Sequence, residues 1–265
     1  MFTASIRRLL ISVALLPACG TQPAPTETHV ASRAVEVFEA GEGDATVVFE
    51  SGLGSDWTAW DEVATEVSAQ ARVFAYSRPG YGASEPSPDP RDASRIVEDL
   101  RTLLRTRGYT PPYVLVGHSF GGTYMELFAK AHPKEVAGLV LVDPRHRDFT
   151  QACMQAGLEG CSIPAPIVAS LPPVQIAEYE AFARSSDEIR AAGEFGQYPV
   201  RVLTATLHSF GPDAEVLWES MLGALAEEAT DGQQIMFPGA SHNLQVERAH
   251  EVAEVIVGLV GSPET

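Results

Sequence analysis

Apolar positions along this chain fall into short runs separated by stretches with helical periodicity. Residues 34–40 alternate apolar and polar and predict a half-exposed strand, closed by the turn residues 41–44. Predominantly apolar, β-branched or aromatic runs at 46–50, 72–76, 113–116, 138–142, 200–205 and 233–237 predict buried strands. Between them lie helical patterns. Residues 57–69 put Trp60, Val63, Ala64 and Val67 on one face, and 92–107 do so with Ile96, Val97, Leu100, Leu103 and Leu104 before stopping at Gly108. Helices are also expected over 123–130, 213–229 and 246–260. Strands alternating with helices predict an α/β domain with a mostly parallel sheet. The rhythm breaks from 145 to 198. This stretch carries Pro164, Pro166, Pro172 and Pro173, a cysteine loop and an amphipathic helix near 174–183, and is an insertion suited to a cap.

The N-terminus stands apart from this pattern. Arg7 and Arg8 precede an apolar segment, Leu9 to Leu16, that is too short to span a bilayer, so 1–18 reads as a signal peptide. Cys19 follows a small residue at the end of that segment, as in a bacterial lipobox, which makes it a candidate lipidation site; Pro17 is unusual there, and plain secretory cleavage is the alternative. Residues 19–32 then form a tether. The expected location is exported: anchored by lipid to a bacterial membrane, in the periplasm or at the cell surface, or else secreted and soluble. Cys153 and Cys161 are the remaining cysteines, and in an oxidising compartment they are expected to form a disulfide.

Composition narrows the partners. The chain has 265 residues, 45% of them hydrophobic, enough for one large core, and a formal net charge of −17 that argues against nucleic acid or an electrostatically bound anionic membrane surface. No metal, nucleotide or flavin motif is present, so no cofactor is implied.

The chemistry concentrates at 113–122. A strand runs into Gly117-His118-Ser119-Phe120-Gly121 and straight on into a helix, the context of a nucleophile elbow. Gly117 and Gly121 remove side chains where the turn is too tight for them, Ser119 is the nucleophile, and Phe120 offers a backbone N–H at a helix start. His242, in the loop after the last strand, lies at the same carboxyl edge and is the candidate base. His118 points away from the serine, His146 opens the insertion and could line a pocket, and His132, His208 and His250 read as structural or surface residues.

These motifs, together with Gly52-Leu53-Gly54 and Arg78-Pro79-Gly80-Tyr81-Gly82-Ala83-Ser84, resemble the α/β-hydrolase superfamily over about 35–260, in particular its capped, esterase-like serine hydrolases. The resemblance implies a mostly parallel hydrolase sheet flanked by helices, with a core of 33–144 and 199–265 and a helical cap at 145–198, inserted after the sixth strand. It also implies that Leu53 supplies the second oxyanion N–H beside Phe120. The family most often carries its triad acid after the strand at 200–205, where this chain has His208; Asp213 comes late and resembles a helix N-cap. Asp143, at the end of the preceding strand, is the preferred acid, with Asp213 as the alternative. The expected reaction is hydrolysis of a small-molecule carboxylic ester through an acyl-enzyme. An aminopeptidase, amidase, lactonase or thioesterase of the same fold is the alternative, with a non-catalytic binding protein a third reading. An amine-binding site would call on acids such as Glu178 and Glu180.

Overall fold

The computed structural model describes residues 24–30 and 33–261. The signal peptide expected at 1–18 and the lipidation site Cys19 lie outside the described residues. Eight strands form one sheet: β1 (Thr26–Val30), β2 (Arg33–Ala40), β3 (Thr46–Glu50), β4 (Arg72–Tyr76), β5 (Tyr113–His118), β6 (Val136–Val142), β7 (Pro199–Leu207) and β8 (Asp231–Ser241). Their spatial order is β1-β2-β4-β3-β5-β6-β7-β8. The pairs of β2 with β1 and with β4 are antiparallel, and the rest are parallel.

The order reverses between β3 and β5: β3 leads outward to β4, whereas β5 leads the other way to β6. A crevice opens at such a switch point, outside the carboxyl ends of the strands. The central strands β3 and β5 are buried along their whole length because helices cover both faces. On one face α1 (Asp61–Val67) and α9 (Ala249–Val260) pack Val63, Val67, Val252 and Ile256 against the sheet, beside Trp60 just before α1. On the other, α2 (Ala93–Thr106), α3 (Phe120–Ala131) and α7 (Pro212–Glu227) contribute Leu100, Leu104, Phe128, Trp218 and Leu222.

Several elements depart from the sequence pattern. The tether expected over 19–32 ends early, because Thr26–Val30 pairs with β2 in the register Thr28↔Val35. Backbone pairing to an edge strand needs little apolar content, so the pattern gives no warning of it. The helix expected at 57–69 splits into a tight 3₁₀ turn, Trp57–Trp60, capped by the Asp56 side chain, and α1. The closing helix is interrupted at Arg248, which separates α8 (Leu244–Glu247) from α9. The 145–198 segment is helical, with α4 (Phe149–Gln155), α5 (Ala165–Val168) and α6 (Pro173–Ala191). Here α6 runs well past the amphipathic stretch that announced it. Cys153 and Cys161 form a disulfide that closes the turn after α4.

A buried ion cluster ties α6 to the sheet. The Arg78 guanidinium donates to Glu50 at 2.6 Å and to both oxygens of Glu178, on α6, at 3.0 Å. Glu178 also accepts from Arg91 and, at 2.9 Å, from the Tyr81 hydroxyl, while Tyr76 donates to Glu50 at 2.6 Å. The remaining Arg78 protons reach the carbonyls of Ser51 (2.6 Å) and Gly52 (2.9 Å), in the turn after β3. Burial pushes Glu50 upward, whereas at Glu178 the adjacent arginines outweigh burial and hold the carboxyl below its ordinary range. Removing one member of such a cluster strands the opposite charge away from water. Glu178→Leu is therefore expected to lower unfolding stability by about 3 kcal/mol in urea titration; a loss under about 1 kcal/mol would mean that the cluster does not hold α6 down.

Candidate active site

The turn at the end of β5 is built for close approach. Ser119 has φ 52° and ψ −119°, and Asp143 has φ 42°; these are the non-glycine residues with positive φ among the described residues. L-residues avoid this region, and strain of this kind gathers at functional sites. A Cβ on Gly117 would lie 2.5 Å from the Gly121 carbonyl oxygen, and one on Gly121 would lie 2.3 Å from that of Glu50. Only glycines let α3 start this tightly against β3 and β5.

Two backbone N–H groups lie close to the serine turn. Phe120 is the first residue of α3, where an N–H has no acceptor within the helix. The Gly52-Leu53-Gly54 turn lies against the elbow, since a Cβ on Gly52 would come within 3.3 Å of Ser119 Cβ. Arg78 donates to the Ser51 and Gly52 carbonyls, and the planar trans peptide after Gly52 points the Leu53 N–H away from that guanidinium.

The structure joins Ser119, His242 and Asp143. His242 Nε2 is 2.9 Å from Ser119 Oγ, and His242 Nδ1 is 2.5 Å from Asp143 Oδ2. These residues follow β5, β8 and β6, three strands whose carboxyl ends share one edge. Asp143 is fully buried. Its Oδ1 accepts from the Ala205 N–H (3.1 Å) and Trp218 Nε1 (3.0 Å). Burial alone would raise its pKa, but hydrogen bonds from His208 and His242 outweigh burial and hold the carboxyl well below its usual range. Asp213 is not brought to His242. It is exposed in the first turn of α7, and the cap position it was expected to fill is Gly211. Its charge there faces the helix N-terminus.

His208 had read as a structural or surface residue, yet it sits in the site. Its Nε2 lies 2.7 Å from Asp143 Oδ2 and its Nδ1 lies 2.7 Å from Glu215 Oε2. Both ring nitrogens face carboxylate oxygens, so both donate and the ring is an imidazolium. Although burial works against the charge, the two acids raise its pKa. The signal was present in the sequence: a histidine where the resemblance leads one to expect an acid, with Glu215 seven residues further on in the first turn of the next helix. Asp143, His208 and His242 are also the described cluster able to offer three metal-ligand atoms. Separations of 2.5 and 2.7 Å between those atoms are hydrogen-bond lengths and leave no room for a shared ion.

The other histidines take supporting places. His118 turns away from the serine; its Nε2 donates to the His242 carbonyl at 2.9 Å and its Nδ1 accepts from Gln245 at 3.3 Å. Burial pushes its pKa down to about 3, so it stays neutral and anchors the loop that carries His242. His146 does not line the pocket. It is buried, accepts from the Asp148 N–H at 3.1 Å, and is pushed down to about 4 by burial.

A cavity of about 390 Å³ opens onto Ser119 and His242. Phe120, Phe210, Trp218 and Leu207 give it apolar walls, Tyr179 and Ile163 come from the 145–198 segment, and Arg145 supplies a cation. Glu178 and Glu180 do not line it. Glu178 is spent on Arg78 and Arg91, and Glu180 is exposed.

Because folding raises the His208 pKa, its ion pairs contribute fully below its unfolded value of 6.5 and are lost as the pH climbs through the raised value. His208→Leu is thus expected to cost about 2 kcal/mol at about pH 6 and clearly less at about pH 9. Urea unfolding at the two pH values checks this; an equal cost at both would remove the charged state of His208.

Comparison with known proteins agrees with this geometry. Residues 45–158 match the family model described as alpha/beta hydrolase fold. The uncharacterized protein YqjL of Bacillus subtilis is 26% identical over 215 residues, covering 80% of this chain and 82% of that protein. Among solved structures, an esterase from Thermogutta terrifontis with malate bound superposes with TM-score 0.66 at 22% identity, over 91% of this chain and 100% of that one. Epoxide hydrolase A from Mycobacterium thermoresistibile gives 0.69 at 18% identity, over 92% and 99%. The chain has the α/β-hydrolase fold, and residues 45–158 carry the match to that family's model.

Proposed function

We propose that this protein is a serine hydrolase that cleaves carboxylic esters through an acyl-enzyme. The observation that carries the reading is the unbroken hydrogen-bond chain from Ser119 Oγ through His242 to the buried carboxylate of Asp143. His242 takes the proton of Ser119 as the oxygen attacks the substrate carbonyl. The N–H groups of Leu53 and Phe120 receive the oxyanion, each contributing about 3 kcal/mol to the transition state. His242 then gives the proton to the leaving alcohol, and water repeats the cycle on the acyl group. Asp143 keeps the imidazole in the tautomer with Nδ1 protonated and stabilises the imidazolium that forms. The epoxide hydrolases of this fold need a carboxylate nucleophile, and serine at the elbow favours acyl transfer instead.

The helices of the 145–198 segment, with Tyr179 and Ile163 at the cavity, act as the cap over the acyl pocket. Export, with Cys19 as a lipid anchor or with a soluble secreted chain, is supported by the Cys153–Cys161 disulfide, since such bonds persist in oxidising compartments. The proposed partner is a small acyl ester, with no nucleic acid.

A fluorophosphonate probe is expected to label Ser119 in the folded protein and to leave Ser119→Ala unlabelled; a folded, unlabelled wild type would remove the serine-hydrolase reading. Asp143→Asn is expected to lower kcat on p-nitrophenyl esters by about ten-thousandfold, whereas Asp213→Asn leaves turnover near wild type. The reverse order of effects would move the acid to Asp213.

A further inference from the structure

The charge balance of the cavity is opposite to that of the chain. The protein carries 35 acidic against 18 basic residues, yet no Asp or Glu is among the residues lining the cavity. Arg145 is among them, two residues past Asp143, and its backbone N–H donates to the Ser119 carbonyl at 2.9 Å. Its guanidinium therefore starts from the edge of the proposed nucleophile.

This guanidinium has no counter-ion among the described residues. One terminal nitrogen, Nη2, is used internally, donating to Thr150 Oγ1 and, at 3.1 Å, to the Cys161 carbonyl. The rings of Phe149, Phe182 and Trp218 lie 5.3 to 5.9 Å from its centre. Arg78 and Arg147 offer the contrast. The first faces Glu50 and Glu178, and the second faces Glu126 and Glu228. Arg145 is half-buried, and partial burial with no facing anion pushes its pKa down to about 10 while leaving it charged at neutral pH. Among the described residues, Nε and Nη1 make no hydrogen bond. A guanidinium fork matches a carboxylate in geometry as well as sign.

We propose that Arg145 is a subsite for a carboxylate carried by the substrate, so that the preferred esters bear a free acid a few carbons from the scissile bond. The proposal rests on the serine-hydrolase reading above. The carboxylate can belong to the acyl part, as in a half-ester of a dicarboxylic acid, or to the alcohol part.

Two matched pairs of substrates separate these sources. Mono-p-nitrophenyl succinate against p-nitrophenyl butyrate tests the acyl side; 4-acetoxybenzoate against methyl 4-acetoxybenzoate tests the alcohol side. Wild type is expected to favour the anion in kcat/KM by about tenfold or more in one pair. Arg145→Met is expected to abolish that preference, chiefly through KM, and Arg145→Lys to retain part of it. Wild type with no anionic preference in either pair, or a preference unchanged in Arg145→Met, would overturn the subsite. The wild-type ratios decide the matter even where Arg145→Met does not fold. Fluorophosphonate labelling of Ser119 in the same preparation distinguishes the two levels. Labelled protein without the preference loses only the subsite, whereas unlabelled folded protein loses the reading on which it stands.

Discussion

The buried carboxylate of Asp143 is the point on which the site depends. It sits at the carboxyl end of β6 in a strained backbone conformation, and four donors converge on it: His242, His208, Trp218 and the Ala205 N–H. A charge at that depth is tolerable only because its lone pairs are occupied. Its partners come from β7, α7 and the loop after β8. The carboxylate thus fastens half of the sheet edge together while it orients the imidazole that faces Ser119. Positive φ at both Ser119 and Asp143 is the backbone counterpart of this arrangement. The strain is sustained by the neighbouring hydrogen bonds rather than by local preference.

A second buried charge cluster does the same work on the other flank. Arg78 joins Glu50, Glu178 and the carbonyls of the Gly52 turn, so the placement of α6 and the shape of that turn share one set of bonds. The helix that brings Tyr179 to the cavity and the turn proposed to receive negative charge are therefore positioned together. The Arg78-Pro79-Gly80 motif gains a physical role from this: it delivers a guanidinium beneath the turn. Between the two clusters lies a cavity whose own ionic groups are cationic, in a chain that is strongly acidic elsewhere.

Much of this was legible in the sequence. Short apolar runs identify the strands because a residue buried on both faces must be apolar whatever its neighbours are. The elbow announces itself because its glycines and serine act within five consecutive residues. His242 follows from the strand order, since everything after a parallel strand emerges at one edge. Asp143 is preferred over Asp213 from its place at a strand end together with an acid position that the resemblance allows there. The helix breaks at Trp60 and Arg248 left no periodic trace, and neither did the pairing of Thr26–Val30, which is set by contact with another strand.

Only the tertiary structure decided what the charged side chains do. His208 meets Asp143 across 65 residues of chain, and Arg78 meets Glu178 across 100. A lone histidine and a scatter of glutamates look alike in sequence whether they are solvated or locked together. Glu178 left the list of amine-binding candidates because arginines claim it, whereas Arg145 lines the cavity with no acid facing it among the described residues. The sequence by itself determined the sheet, the elbow and the edge where chemistry gathers, because local pattern and strand direction suffice for these. The pairing of buried charges was decided by folding, because burial and proximity are properties of three-dimensional neighbours.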